Sequence, residues 1–172
     1  MKLFTCPNFV FIWSSKTKKR CIKLIRTIYS IYIKKNVLAV YWTGKNSKNF
    51  GDALNPILIE KLSGKSVVLP NKVICSKHND IYSVIGSIIG FYTYNNLIIW
   101  GSGFTASTSK LIVFPKNVCA VRGPLTRKLL LQQGVECPEV YGDPALLYPL
   151  FYVPSVEKKY AIGIIPHHDD IN

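Results

Sequence analysis

From residue 37 onwards, short apolar runs rich in β-branched residues alternate with polar loops and helical segments. Strands that are joined through helices typically run parallel, whereas antiparallel neighbours are usually joined by short hairpin turns. The pattern therefore predicts an α/β fold with a parallel sheet and right-handed crossovers. The predicted strands are Val37–Trp42, Ser66–Leu69, Ile81–Ile85, Leu97–Trp100, Asn117–Val121, Val140–Tyr141 and Tyr160–Ile165.

Two helices are predicted between these strands. The first spans about 56–63, with Asn55 as its N-cap and Gly64 just past its end. The second spans Pro124–Gln133 and stops at Gly134. Both segments carry the proline near the start and the glycine after the end that are typical of helices in globular domains.

The charge of the chain is concentrated near its N-terminus. The first 51 residues hold 11 Lys and Arg and no acidic residue, whereas residues 52–172 hold 11 Lys and Arg and 9 Asp and Glu. We therefore expect a basic arm over residues 1–36 and an α/β domain over 37–155. A secretory signal is not expected, since the basic cluster follows the first apolar run and no small-residue cleavage site comes after it.

Residues 19–35 have helical periodicity, with one apolar and one polar stripe. Such a helix can lie in an anionic membrane surface, or it can pack its apolar stripe against the domain. The sequence leaves both alternatives open, while no motif supports a nucleic-acid partner. The apolar stripe contains Cys21, Ile25, Ile28, Tyr29 and Tyr32, widened by Leu24 and Ile31, and the polar stripe contains Lys19, Lys23, Arg26, Thr27, Ser30 and Lys34.

An uncharged stretch of 29 residues lies between Asp80 and Lys110 and is long enough to cross a bilayer. Asn95, Asn96 and four glycines interrupt it, and buried parallel strands also read as continuous apolar runs. We therefore expect strands there rather than a membrane span. The five cysteines are scattered singly, so we expect buried, reduced thiols and no metal site.

Polar and glycine-rich segments follow several predicted strands, at the edge of a parallel sheet where ligands usually bind. Asn49, Gly51 and Asp52 precede a helix, and Gly101-Ser102-Gly103 follows a strand. Arg122 and Gly123 stand at a helix start, where a guanidinium can hold a phosphate or carboxylate. Two further polar segments are Gly142-Asp143 and His167-His168. The two histidines are candidates for acid–base chemistry.

Each segment also has a plainer structural explanation. The segment around Asp52 reads as a turn, and Asp143 reads as an N-cap before Pro144. Arg122 is equally compatible with a surface salt bridge, and the two histidines with a polar loop. The Gly-x-Gly after the fourth strand lacks the third glycine of a dinucleotide site, so NAD is not predicted.

Taken in order, five short motifs resemble those of the polysaccharide pyruvyl transferase family. They are N-F-G-D-x-L at 49–54, W-G-S-G-F at 100–104, V-R-G-P-x-T at 121–126, Y-G-D-P-A at 141–145 and I-P-H at 165–167. The resemblance runs from about Val37 to the C-terminus. It implies the first domain of a GT-B-type transferase, in which two Rossmann-like domains face each other across a cleft.

The resemblance also implies an activity: transfer of a pyruvyl group from phosphoenolpyruvate to a sugar hydroxyl of a cell-surface polysaccharide or its lipid-linked precursor. Phosphoenolpyruvate is then the donor substrate, no cofactor is expected, and the enzyme is expected in the cytoplasm at the inner face of the membrane, where residues 19–35 would touch it. Arg122 would bind the donor, Asp52 would be the base, and His167 would be an acid or phosphate contact. Further substrate contacts would be Asn49, Gly51, Gly101, Ser102, Gly103, Gly123, Asp143 and His168.

Residues 156–172 correspond, on this resemblance, to a linker and the first strand of a second domain that the chain otherwise lacks. We therefore expect the activity to be impaired. Two alternatives stay open. The chain is a glycosyltransferase-like or glycan-binding α/β module without pyruvyl transfer, or it is a non-catalytic, membrane-associated remnant.

Overall fold

The computed structural model describes residues 5–6, 9–10, 15–43 and 49–164, and it contains a five-stranded, all-parallel sheet. The strands stand in the order β2-β1-β3-β4-β5, which is one of the two common orders of doubly wound sheets. The predicted α/β, Rossmann-like fold is therefore confirmed. The strands are β1 (Val37–Val40), β2 (Val67–Val68), β3 (Ile81–Ser83), β4 (Leu97–Trp100) and β5 (Asn117–Ala120).

The sheet is covered on both faces, as the alternation of side chains along β1 shows. Leu38 and Val40 belong to one buried cluster, whereas Ala39 between them belongs to another. The first cluster includes Leu130 of helix α3 (Pro124–Gln132), and the second includes Leu58 of helix α2 (Phe50–Ser63). Because both faces are buried there, strands β1 and β4 are apolar throughout, as the sequence indicated, whereas the edge strand β5 alternates exposed and buried residues.

Helix α2 begins earlier than predicted. Asn49 is its N-cap and accepts a hydrogen bond from the Gly51 amide, so Asp52 lies in the first turn of the helix rather than in a preceding loop. The prediction of Asn55 as N-cap was wrong, because Asn55 lies inside the helix and is fully buried. The predicted end was right, since Gly64 adopts the left-handed conformation with φ of 66°.

The buried amide of Asn55 joins α2 to the loop after β3. Its Oδ1 accepts the Ile85 N–H at 2.9 Å, and its Nδ2 donates to the Ile85 carbonyl at 3.1 Å. The same Nδ2 lies 3.2 Å from the carbonyl of Gly51, one turn earlier in the helix, and Pro56 follows Asn55 inside the same helix. A side chain that satisfies both backbone groups of a buried residue fixes the position of that loop against the helix.

The other predicted elements differ in extent. Helix α3 matches its prediction within one residue, and Gly134 follows it with φ of 79°. Residues 84–96 and 101–116, which connect β3 to β4 and β4 to β5, contain no helix. The predicted strand Val140–Tyr141 is only a single bridge from Tyr141 to Val121, followed by a 3₁₀ helix over Pro144–Leu150.

The predicted strand Tyr160–Ile165 is not observed over the residues that are described, 160–164, and Ile165 lies outside them. No described strand pairs with this segment, and an unpaired extended segment does not satisfy its backbone groups within the fold. Its apolar side chains Tyr160, Ile162 and Ile164 are exposed. An apolar run that looks like a buried strand therefore has no partner here.

Helix α1 (Ser15–Thr27) continues as a π-helical segment, Ile28–Ile33, which confirms the helical periodicity predicted for this region. Thr27 and Ser30, from the polar stripe, are its buried residues. The Thr27 Oγ1 accepts the Ile74 N–H at 2.8 Å, which ties the helix to the domain. Most of the apolar stripe therefore does not pack against the domain, as one alternative required, although Ile31 packs against the core and Cys21 is half-buried. Before α1, Thr5–Cys6 and Phe9–Val10 pair as two short antiparallel strands.

None of the described helices is long and apolar enough to cross a membrane. The uncharged stretch forms β3, β4 and their loops, as expected. The expectation of uniformly buried thiols was wrong: Cys137 is buried, but Cys119 is exposed and Cys21 and Cys75 are half-buried.

Replacement of Asn55 by alanine should destabilise the domain by about 2–4 kcal/mol, because the N–H and carbonyl of Ile85 then lose their partners in a buried site. Urea unfolding followed by circular dichroism measures the change. Asn95→Ala, at an exposed turn, is the matched control and should change stability by about 0.5 kcal/mol or less. Equal effects of the two substitutions would show that the buried amide does not hold the loop.

Candidate functional site

A cleft of about 490 Å³ lies at the carboxyl edge of the sheet, near the point where the strand order reverses between β1 and β3. Open α/β sheets usually bind ligands at this point, because the loops after the two strands leave in opposite directions. The cleft brings together five residues that the sequence singled out, and these are Asn49, Gly51, Asp52, Arg122 and Asp143.

Arg122 follows β5, and its guanidinium is held in place by two hydrogen bonds. Nη1 donates to Ser87 Oγ at 2.5 Å, and Nη2 donates to the Phe104 carbonyl at 3.1 Å. Within the described part of the chain it pairs with no carboxylate, so the surface salt bridge considered for it is not formed there. A guanidinium has five N–H donors, and those that remain can meet an anion in the cleft.

The loop after β4 packs against Arg122. Gly103 N donates to the Gly86 carbonyl at 3.0 Å, and Arg122 N donates to the Ser102 carbonyl at 3.1 Å, so the three loop segments are joined edge to edge. A Cβ at Gly103 would lie only 2.9–3.0 Å from the Arg122 Nε, Cζ and Nη2. Glycine at this position therefore lets the guanidinium lie directly against the backbone.

Asp52 lies in the first turn of α2, where the helix dipole favours a negative charge. Partial burial raises the pKa of its carboxyl above the ordinary value of 3.8, and a backbone hydrogen bond with Trp42 opposes that rise. Tyr92 is close enough that, after burial, the charge of Asp52 also raises the pKa of its phenol. A half-buried carboxylate with a raised pKa is a better proton acceptor than an exposed one.

Two of the cleft residues are helix caps, which the plainer explanation predicted for Asp143 but not for Asn49, whose segment was read as a turn. Asn49 caps α2, and Asp143 Oδ1 accepts the Ala145 N–H at 3.0 Å at the start of the 3₁₀ helix. Both side chains nevertheless line the cleft. Capping orients their remaining lone pairs without removing them from contact with a ligand.

Four of the predicted contacts do not line the cleft. Ser102 is fully buried, and its Oγ lies 2.7 Å from Ser83 Oγ. Gly101 has φ of 96° and packs against the ring of Pro144. Gly103 lies against Arg122 as described, and Gly123 is the N-cap of α3. The remaining candidates, His167 and His168, lie outside the described residues.

Sequence reasoning missed several lining residues, of which Ser87 matters most because it holds Arg122. The available signal was Gly86-Ser87 directly after the strand Ile81–Ile85, another polar segment at the carboxyl edge of the sheet. A similar signal was available for Trp42, which stands at the end of the predicted first strand. The other missed lining residues are Ile85, Gly86, Ile88, Phe91 and Thr105.

A smaller pocket of about 300 Å³ adjoins the cleft, because Trp42 lines both. Aromatic rings dominate its wall, and Tyr92 and Tyr94 stack with ring centroids 6.3 Å apart. The other lining residues are Val40, Tyr41, Thr43, Leu69, Pro70 and Asn71. The two spaces together offer a cation, a carboxylate and aromatic surface within one edge of the sheet.

The two glycines after β4 should differ in how much an alanine destabilises the domain. Gly101→Ala should cost about 2–4 kcal/mol, because a Cβ would overlap Pro144 and would be strained at positive φ. Gly103→Ala should cost less than about 1 kcal/mol, because the Cβ would meet the exposed side chain of Arg122, which can shift. Thermal unfolding compares both with Gly163→Ala, where a Cβ meets nothing. Equal losses at residues 101 and 103 would contradict this packing.

The raised pKa of Asp52 predicts a pH-dependent stability difference between the wild type and Asp52→Asn. A carboxyl whose pKa is higher in the folded state favours its protonated form there, so the wild type should lose stability relative to the variant as pH rises through that pKa. Urea unfolding midpoints between about pH 3 and pH 7 measure the difference. A wild type that instead gains stability relative to the variant over this range would refute the raised pKa.

Comparison with protein-family models, with curated proteins and with solved structures gave no significant match to this chain. The resemblance to the polysaccharide pyruvyl transferases therefore stays a prediction, and function must be argued from the cleft.

Proposed function

We propose that the chain carries the donor half of a pyruvyl-transfer site, which moves a pyruvyl group from phosphoenolpyruvate to a sugar hydroxyl. The observation that carries this proposal is the Arg122 guanidinium, fixed by Ser87 and Phe104, free of a carboxylate partner in the described chain, and placed in one cleft with Asp52. The motif resemblance points to the same donor.

Phosphoenolpyruvate suits the cleft in charge and size. Its phosphate and carboxylate both match the planar donor fork of an arginine, which binds such groups through two parallel hydrogen bonds. A volume of about 490 Å³ accommodates this small donor together with part of an acceptor. The first turn of α2 adds the positive end of a helix dipole beside it.

The reaction needs one base and one acid. Asp52 accepts the proton of the attacking sugar hydroxyl, whose oxygen forms a bond to C2 of the donor, while an acid protonates the methylene carbon to give a methyl group. The bond from C2 to the phosphate oxygen then breaks, and phosphate leaves with the electron pair and takes up the proton held by Asp52. The oxygen of a second hydroxyl bonds to C2 and closes the ketal, and its proton returns to the acid. His167, predicted as an acid or a phosphate contact, is the candidate for this acid, and it lies outside the described residues.

The aromatic pocket beside the cleft is the place that we assign to the acceptor. The apolar faces of sugar rings pack well on aromatic side chains, while polar groups at the rim orient the hydroxyls. A sugar stacked there contacts Trp42, whose backbone is hydrogen-bonded to Asp52. An acceptor hydroxyl is then brought to the base.

A second candidate function is glycan binding without pyruvyl transfer, and the same aromatic pocket favours it. In that case the pocket binds a saccharide and Arg122 contacts a negatively charged substituent of the glycan. The two candidates differ in whether phosphoenolpyruvate itself is bound.

Calorimetric titration with phosphoenolpyruvate tests the proposal. We expect saturable binding that Arg122→Ala weakens about 10- to 100-fold, because a charged hydrogen bond to the donor is lost. Lys128→Ala is the matched control: it also removes one positive charge, from an exposed position on α3, and should bind normally. Gly103→Ala should also weaken binding, because it displaces the guanidinium without removing it.

The absence of binding to a folded wild-type chain, or equal binding by wild type and Arg122→Ala, would overturn the proposed donor site. In that event, quenching of tryptophan fluorescence by methyl glycosides, lost in Trp42→Leu, would establish the glycan-binding alternative instead.

A further inference from the structure

The helical segment over residues 15–33 has an unusual distribution of polar and apolar side chains. Together with the two lysines that follow it, it carries eight Lys and Arg and no acidic residue. Its buried positions are Thr27 and Ser30, and Ile31 is the one residue of the π-helical segment packed against the core. The domain therefore holds this helix mainly through its polar side.

The opposite side is apolar and open to solvent. Seven large side chains there are between 47% and 66% exposed, although a buried position lies within two residues of several of them. They are Ile22, Leu24, Ile25, Ile28, Tyr29, Tyr32 and Ile33. We call these seven residues the apolar face.

The π-helical segment widens this face. Its backbone bonds span five residues, as in the Lys34 N–H to Tyr29 carbonyl bond at 2.9 Å, so side chains four or five positions apart share a side. Ile28, Tyr29, Tyr32 and Ile33 consequently all point away from the domain. In a regular α-helix, Ile28 and Ile33 would lie about 140° apart around the helix axis.

The positive charge of the segment distinguishes between the partners that could cover the apolar face. A second copy of the chain would bring eight more positive charges against these eight, and like charges at an interface are repulsive. An anionic lipid surface offers both requirements at once, namely apolar acyl chains beneath the face and negative headgroups beside the lysines and arginines. Tyrosines suit the boundary between the two, and Lys34 Nζ lies 5.8 Å from the ring centroid of Tyr29.

We propose that the segment over residues 15–35 is an anionic-membrane docking surface, which lies in the plane of the lipid interface with its apolar face inserted. Long basic side chains can extend from the flanks of such a helix to the headgroups. The inference is independent of the proposed donor site, because no residue of the segment lines the cleft.

Vesicle flotation of the full chain tests this proposal. We expect the wild type to float with phosphatidylglycerol-containing vesicles and about tenfold less with pure phosphatidylcholine, and to be released as salt rises from about 0.1 M to about 1 M. Ile25→Ser with Tyr32→Ser should reduce binding to the anionic vesicles at least about tenfold. Leu125→Ser with Leu146→Ser is the matched control, since both leucines are equally apolar and 77% exposed, but on the body of the domain.

Circular dichroism and thermal unfolding must show that both double variants are folded. The proposal is overturned if the wild type does not bind anionic vesicles, or if it binds neutral vesicles equally well. It is also overturned if the serine substitutions at residues 25 and 32 leave binding intact, because the attraction is then electrostatic alone, as for a nucleic acid. Dimerisation in the absence of lipid that the same substitutions abolish would assign the face to a second copy.

Discussion

The side chain of Asn55 holds together the two segments between which the cleft forms. It sits on α2, and its amide satisfies both backbone groups of Ile85, at the point where β3 has ended and no strand neighbour pairs with that residue. The strand order reverses at this edge of the sheet, so the loops after β1 and β3 have no continuous ladder to align them. The position of Asp52 relative to Gly86 and Ser87 depends on this one buried amide.

A second set of hydrogen bonds, between neighbouring loops, fixes the position of Arg122 relative to these two segments. The loop after β4 bonds to the loop after β3 through Gly103 and Gly86, and to the residue after β5 through Ser102 and Arg122. The Arg122 guanidinium in turn donates a hydrogen bond to Ser87, which lies in the loop after β3. A cation held by backbone packing and a neutral hydroxyl, rather than by a carboxylate, keeps its charge available to an anionic ligand.

Much of the candidate site followed from one rule, that polar residues after parallel strands converge at the same edge of the sheet. That rule led to Asp52, Arg122 and Asp143, which the cleft contains. It could not separate lining residues from supporting ones, because Ser102 and Arg122 stand in similar sequence settings but only the arginine side chain reaches the cleft. The difference lies in neighbouring chain segments, such as Ser83 beside Ser102.

Local signals in the sequence determined the strands β1 to β5 approximately, helix α3, and the helix ends at Gly64 and Gly134, since periodicity and backbone conformational limits act within a few residues. Tertiary structure alone decided that Tyr160–Ile164 forms no strand, because strand formation requires a partner that no local pattern reveals. It alone also decided which side of the helix at residues 15–33 meets the domain. Periodicity showed that this helix has two unlike sides, but the side that is buried depends on the surface opposite. There the Ile74 N–H donates a hydrogen bond to Thr27, whereas among the described residues the side chains of the apolar face are at least 47% exposed.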